Sequence, residues 1–211
     1  SVYDYPYVSS SANHIFDISA GVHPDWVDYD EVDTQKDKKT NLYSQMAMQL
    51  SGYDTEGKIR IFDADGDHSD GSKHRTAWFF TFSRLLVKDE IKKGSFEMKL
   101  GVGDYDTPFS TVVPLNDSGS ATNYRSNSPA GEYGFIYDDA GNRFGLIYYQ
   151  AGVVVLKSSG GVITVYDDES ASGEALFPDG HILADGNPHD DIGDARVIKN
   201  ASIDEIADSL R

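Results

Sequence analysis

The feature that most constrains this chain is a pair of β-prone runs held apart by a short turn. They are Glu132-Tyr133-Gly134-Phe135-Ile136-Tyr137 and Phe144-Gly145-Leu146-Ile147-Tyr148-Tyr149, and Asp138-Asp139-Ala140-Gly141-Asn142 lies between them. Aromatic and aliphatic flanks around residues that tolerate φ > 0 predict an antiparallel hairpin with its tip at Asp139, Ala140, Gly141 and Asn142. A second signal is Thr76-Ala77-Trp78-Phe79-Phe80-Thr81-Phe82, too aromatic to lie on a surface, which predicts a buried strand continued by Arg84-Leu85-Leu86-Val87. A charged turn over Lys88 to Gly94 follows. Phe96, Met98 and Leu100 then alternate with Ser95, Glu97 and Lys99, the pattern of a strand with one wet face. Gly152 to Leu156 and Gly161 to Tyr166, around a Ser158-Ser159-Gly160 turn, bring the count to about six strands.

Aromatic residues make up 12% of the 211, with Tyr and Phe prominent, which suits pleated strands better than long helices. The chain reads as mainly β, an antiparallel sheet or sandwich with an extended N-terminal arm and two short helices. Residues 1–40 are polar and turn-rich and form the expected arm. Its scattered aromatics Tyr3, Tyr5, Tyr7, Phe16 and Trp26 are candidate interface anchors, because aromatic side chains are favoured at interface cores. On this reading, deleting residues 1–30 leaves a folded subunit that no longer assembles. Residues 41–166 are the β-rich core domain. Within it Leu42, Met46 and Leu50 recur every four residues between a cap at Asn41 and a C′ glycine at Gly52, predicting a helix. Residues 167–211 comprise an aperiodic insertion, to about 194, and a terminal helix opened by the capping box Ser202-Ile203-Asp204-Glu205.

Eighteen basic residues against 35 acidic ones give a formal charge of −17, which repels phosphate backbones and anionic headgroups and argues against nucleic acid and membrane as partners. No apolar run approaches the roughly 18 residues of a membrane span, and the first eleven residues lack the basic and apolar regions of a signal peptide. The absence of cysteine removes disulfides, thiolate metal sites and cysteine nucleophiles.

The sharpest chemical motif is Asp63-Ala64-Asp65-Gly66-Asp67-His68-Ser69-Asp70-Gly71. Alternating carboxylates of this kind, Asp63, Asp65, Asp67 and Asp70, can converge on a hard cation, and calcium is the candidate cofactor. An EF-hand loop requires glycine at its sixth position and glutamate at its twelfth, where this chain has His68 and His74. The competing reading is a solvated acidic turn. The six histidines are scattered without an i, i+4 pair and read as surface residues. His181 to Asp191 gathers two of them with aspartates, which suits a transition metal less well than simple solvation. No Gly-x-Ser-x-Gly elbow is present, Gly101-Val102-Gly103 lacks the rest of a dinucleotide fingerprint, and Trp78-Phe79-Phe80 fits a core better than a sugar platform. No catalytic residue is assigned, and the chain is not expected to be an enzyme.

Several long stretches resemble a family of virion structural proteins of contractile-tailed cyanophages. They are Phe82 to Phe96, Asn127 to Gly134, Asn13 to Asp17, Leu42 to Ala47, Gly145 to Val153 and Ser202 to Asp208, and together they span nearly the whole chain. The resemblance implies a bacteriophage structural subunit, in the tail, baseplate or neck rather than the head, whose partners are other virion proteins and copies of itself. It implies a virion location after assembly in the host cytoplasm, and it brings no catalytic residue. Family members continue past the stretch matching Ser202 to Arg211 into a further β-rich segment that this sequence lacks, as a fragment or a trimmed chain would. The alternative from another class is a calcium-dependent module that binds a host surface or glycan.

Overall fold

The fold was analysed in a computed structural model, which describes residues 1–4, 12–26, 35–69, 73–83, 89–102 and 111–157. Eleven strands and one α-helix are described. In chain order they are β1 (Val2–Tyr3), β2 (His14–Val22), α1 (Lys36–Leu50), β3 (Phe62–Asp63), β4 (Lys73–His74), β5 (Thr76–Phe82), β6 (Glu97–Val102), β7 (Thr111–Asn116), β8 (Arg125–Ser128), β9 (Gly131–Asp138), β10 (Arg143–Tyr148) and β11 (Val153–Lys157), with 3-10 turns at Pro24–Trp26 and Ser118–Ala121. The architecture is mainly β and antiparallel. Of the two expected forms it takes the sheet: nine described strands join, eight in the order β1-β2-β5-β11-β10-β9-β7-β6 and the ninth, β8, through its pairing with β9. β3 and β4 form a separate two-stranded ribbon.

The hairpin is where the sequence places it. Leu146 faces Phe135 and Tyr148 faces Tyr133 across β9 and β10, and the turn closes through the Asp138 N–H donating to the Asn142 carbonyl at 3.0 Å. Gly141 takes φ 86°, as the tip requires. Asn142 works through hydrogen bonds instead: its backbone N–H and its side-chain amide both donate to the Asp138 carboxylate, at 2.7 and 2.9 Å.

Alternation along the strands creates two cores, one on each face of the sheet. On β5, Trp78 and Phe80 enter one cluster with Val154, Leu156, Ile147 and Ile136, while Ala77 and Phe79 enter the other with Val155, Leu146 and Tyr148. The first face lies inside a curl of the sheet. Phe96 and Met98, at the β6 end of the strand order, pack on the same cluster as Phe16, Ile18 and Phe82 from β2 and β5, and the Phe82 and Phe96 rings are 5.8 Å apart. The second face is covered by α1, through Tyr43, Ala47 and Leu50, and by Phe62.

Three expectations need correction. The N-terminal arm is not an arm throughout: His14–Val22 pairs with β5 over seven residue positions, from Phe16↔Phe82 to Val22↔Thr76. Phe16 is accordingly half-buried against Phe80 and Phe82, with ring centroids 6.0 and 5.6 Å away, and is a core residue instead of an interface anchor. Alternation of Phe16, Ile18, Ala20 and Val22 marks the strand, but small and polar residues between them weaken the pattern. The helix begins at Lys36, ahead of Asn41, after Gln35 in the left-handed region at φ 57°. Its deepest side is Tyr43, Ala47 and Leu50, with Leu42 and Met46 flanking. A first turn of lysines carries no apolar signal, so tertiary packing extends the helix. The expected C′ glycine stands: the N–H of Gly52, at φ 78°, donates to the Ala47 carbonyl at 2.9 Å. The expected strand extension at 84–87, the strand at 161–166, the insertion and the terminal helix lie outside the described residues.

Candidate functional site

The acidic loop and the groove beside it bring several charged side chains together. The β3–β4 ribbon sets Phe62 opposite His74 and Asp63 opposite Lys73. Asp63 is buried, and its Oδ2 accepts the Lys73 ammonium at 2.9 Å and the His68 backbone N–H at 2.5 Å. Its Oδ1 accepts the Asp65 N–H at 3.4 Å. Asp65 in turn accepts the Asp67 N–H at 3.2 Å, and Asp67 accepts the Ser69 N–H at 2.9 Å. Each aspartate therefore satisfies a backbone donor two residues on, the local chemistry that favours Asp in turns. The loop is tied to the outer face of the sheet by the Gly66 carbonyl, which accepts the Asn127 amide at 3.0 Å and lies 3.4 Å from the Tyr133 hydroxyl.

One carboxylate oxygen each from Asp63, Asp65 and Asp67 lies within 4.8 Å of the others, so three of the four proposed ligands converge. Asp70 lies outside the described residues. His68, at the sixth loop position, adopts φ 65°, the left-handed conformation that an EF-hand gives to glycine. At the twelfth position His74 is 4% exposed and belongs to β4, so it offers no carboxylate there. Three carboxylates fall short of the six to eight oxygens that calcium takes, and Lys73 already brings a positive charge to Asp63.

The expectation that the histidines are surface residues is corrected in this region. His74 is buried, and burial, reinforced by Lys157, depresses its imidazole to about 4. The His68 and His23 rings are also pushed down by burial, so both favour the neutral form. The His68 side chain is only 13% exposed, and neither ring nitrogen has a hydrogen-bond partner among the described residues. His23, His68 and Asp67 line a groove of about 730 Å³, together with Asp25, Asp54, Lys58, Arg60 and Lys73. Sequence reasoning passed over Arg60 and read His23 as a surface residue, because each is a lone polar residue in a turn-rich stretch, with no periodicity to connect it to the loop.

Of the other expected interface residues, Tyr3 is 37% exposed and meets His14 edge-on at 5.6 Å. Trp26 ends the 3-10 turn Pro24–Trp26, and Tyr5 and Tyr7 lie outside the described residues. Comparison of the chain with protein-family models, with curated proteins and with solved structures returns no match.

Proposed function

We propose that this chain is a structural subunit of a contractile-tailed bacteriophage virion. It acts by protein–protein assembly in the tail, baseplate or neck, with other virion proteins and copies of itself as partners, and has no enzymatic activity of its own. The observation that carries this reading is where the virion-like stretches fall. Asn127 to Gly134 runs through β8 into β9, and Gly145 to Val153 joins β10 to β11. Both contain glycines that the sheet needs for lack of space. A Cβ on Gly134 would overlap the Ser120 and Tyr149 hydroxyls, and one on Gly145 would overlap the Val155 carbonyl. A shared stretch at such positions reflects a shared backbone more readily than shared surface composition. Mass spectrometry and a density map of purified intact particles test the proposal. Stoichiometric presence in the particle is expected, and recovery of the protein only from the host-cell fraction would sink it.

The convergence of Asp63, Asp65 and Asp67 favours a second reading, a calcium-dependent module that recognises a host surface or glycan. A ion bound only by the folded state raises the melting temperature. On this reading millimolar calcium raises the Tm, Asp65→Asn abolishes the rise, and an unchanged Tm in the parent chain excludes the module.

A further inference from the structure

We propose that strand β6 is a docking edge for a second copy of this chain, pairing antiparallel with the β6 of that copy about a two-fold axis through Met98. The inference rests on the assembly reading for its role in the particle, and adds to it the surface and the register. β6 stands last in the strand order, and among the described residues only β7 pairs with it. That one ladder fixes which way each residue of β6 points its backbone groups. The Asp117 N–H donates to the Phe96 carbonyl at 3.3 Å, and Pro114, which faces Lys99, has no N–H to give. Direction alternates along an antiparallel strand, so Met98 turns its N–H and C=O toward β7 while Glu97, Lys99 and Gly101 turn theirs away. Groups turned away in this manner form an open edge, a template for another strand.

Charge decides what fits that edge. The chain carries −17 overall, so two copies repel one another over much of their surface. The β6–β7 pair departs from this: the two six-residue strands carry Glu97 and Lys99 as their only charged residues, and these cancel. Both side chains are exposed, and they pair with each other along the strand at 3.2 Å, a contact of little worth in water that leaves them able to exchange partners. A two-fold pairing of identical edges must match outward-turned residues with one another, which puts its centre near mid-strand at Met98, Lys99 or Leu100. A centre at Lys99 sets that side chain against its own counterpart, and one at Leu100 sets Lys99 against Gly101 without a charge pair. Centred at Met98, Glu97 faces Lys99 of the second copy and Lys99 faces the Glu97 of that copy. Opposite charges directly across a strand pair are favourable and like charges are not. Each of these two matches also exchanges a pair of backbone hydrogen bonds, so one contact closes both edges, the self-complementary arrangement of an isologous dimer.

The test is sedimentation velocity of the full chain over a range of concentrations. A dimer is expected, and Glu97→Lys and Lys99→Glu should each weaken it about tenfold or more, because either change turns two attractive pairs into two like-charge pairs. The double variant Glu97→Lys/Lys99→Glu reverses both pairs together and should restore the parent dimer. Because both side chains are exposed, all three variants should keep a Tm within the range of surface substitutions. The register has its own readout, since the chain has no cysteine. In the Met98-centred pairing the two Met98 Cα atoms lie about 4.5 Å apart, so Met98→Cys should form an intermolecular disulfide on mild oxidation. The two Lys99 positions are then beyond the roughly 7 Å that a disulfide spans, so Lys99→Cys should not. A chain that stays monomeric up to about 1 mM overturns the proposal. So does a dimer indifferent to the single charge changes, one that the double variant fails to restore, or cross-linking that prefers Lys99→Cys. If Met98→Cys alters the fold, the charge variants decide. A monomeric chain found stoichiometrically in purified particles overturns the edge pairing alone, whereas a β6-dependent dimer absent from particles keeps the pairing and removes the virion role.

Discussion

The two faces of the sheet are built from alternate residues of the same strands, yet they are held in different ways. The inner face, within the curl, is closed by apolar contact among Trp78, Phe80, Ile147, Val154 and Leu156. Its polar chemistry includes a buried carboxylate, that of Asp117. It accepts the Gly94 and Phe96 N–H groups, each at 2.8 Å, and the Tyr149 hydroxyl at 3.0 Å. The outer face carries its tyrosines with hydroxyls committed to hydrogen bonds. Tyr43 donates to the His74 carbonyl at 2.5 Å and accepts the Phe62 N–H at 3.3 Å, and Tyr133 donates to Asn127 at 2.9 Å. Tyr148 lies 3.4 Å from the Ser51 hydroxyl and stacks on Tyr133 with centroids 5.0 Å apart. Apolar packing is non-directional and closes the curl, whereas hydrogen bonds of fixed geometry set the helix and the acidic loop in place on the other side.

The largest expected effect comes from removing a whole strand. Deleting residues 1–30 takes away β2, which places Phe16, Ile18, Ala20 and Val22 on the inner face and pairs along β5. The truncated chain should lose its cooperative unfolding transition. A truncated protein that melts normally would return β2 to the status of a dispensable arm.

Trp78→Ala on the inner face and Phe79→Ala on the outer should each cost about 3–5 kcal/mol in denaturant unfolding, since both side chains are fully buried. If Phe79→Ala costs under about 1 kcal/mol while Trp78→Ala costs several, the outer face is no true core. Asp117→Ala strands two backbone N–H donors and a tyrosine hydroxyl, and a loss of about 3–4 kcal/mol is expected. Burial holds the Tyr149 hydroxyl above its ordinary range, so it remains a donor at neutral pH. Asp117→Asn, which retains one oxygen acceptor, should recover part of the loss; no difference between the two variants would show that the carboxylate's contacts are incidental.

His74 makes the outer face sensitive to acid. Its imidazole is depressed from 6.5 to about 4 by burial, so the unfolded chain binds a proton before the folded one does. The stability that depends on a neutral His74 is complete above pH 6.5 and is lost as the pH falls towards 4, by about 3 kcal/mol in all. Unfolding free energies measured between pH 7 and 4 should fall for the parent chain and much less for His74→Gln. Parallel curves would assign the acid sensitivity to other groups. The smallest effect expected is that of Tyr43→Phe, which keeps the ring but leaves the His74 carbonyl and the Phe62 N–H without that hydroxyl, at about 1–2 kcal/mol. A variant as stable as its parent would mean that water satisfies both groups.

Short-range pattern was enough for several elements. The aromatic run 76–82 is β5 with its predicted bounds, the 132–149 hairpin forms, and Val153 to Leu156 lies in a strand. In each, side chains of one strand alternate between two apolar faces, and that periodicity belongs to a few consecutive residues. The acidic loop was legible as a motif for the same reason: each aspartate bonds a donor two positions on. The groove was not, because Arg60 and His23 come from separate turns and become neighbours of the loop only when the chain folds.

What the sequence determined by itself, then, is the β character of the chain, the position of its hairpin and the place of its carboxylates. The tertiary structure alone decided that His14–Val22 is a sheet strand, that the helix reaches back to Lys36, and that His74 and Asp117 are buried. These outcomes depend on partners tens of residues away: β2 needs β5, Asp117 needs Gly94, Phe96 and Tyr149, and His74 needs Tyr43 and Phe62. A polar side chain looks the same in sequence whether water or a distant donor satisfies it, and only the fold brings that donor within reach.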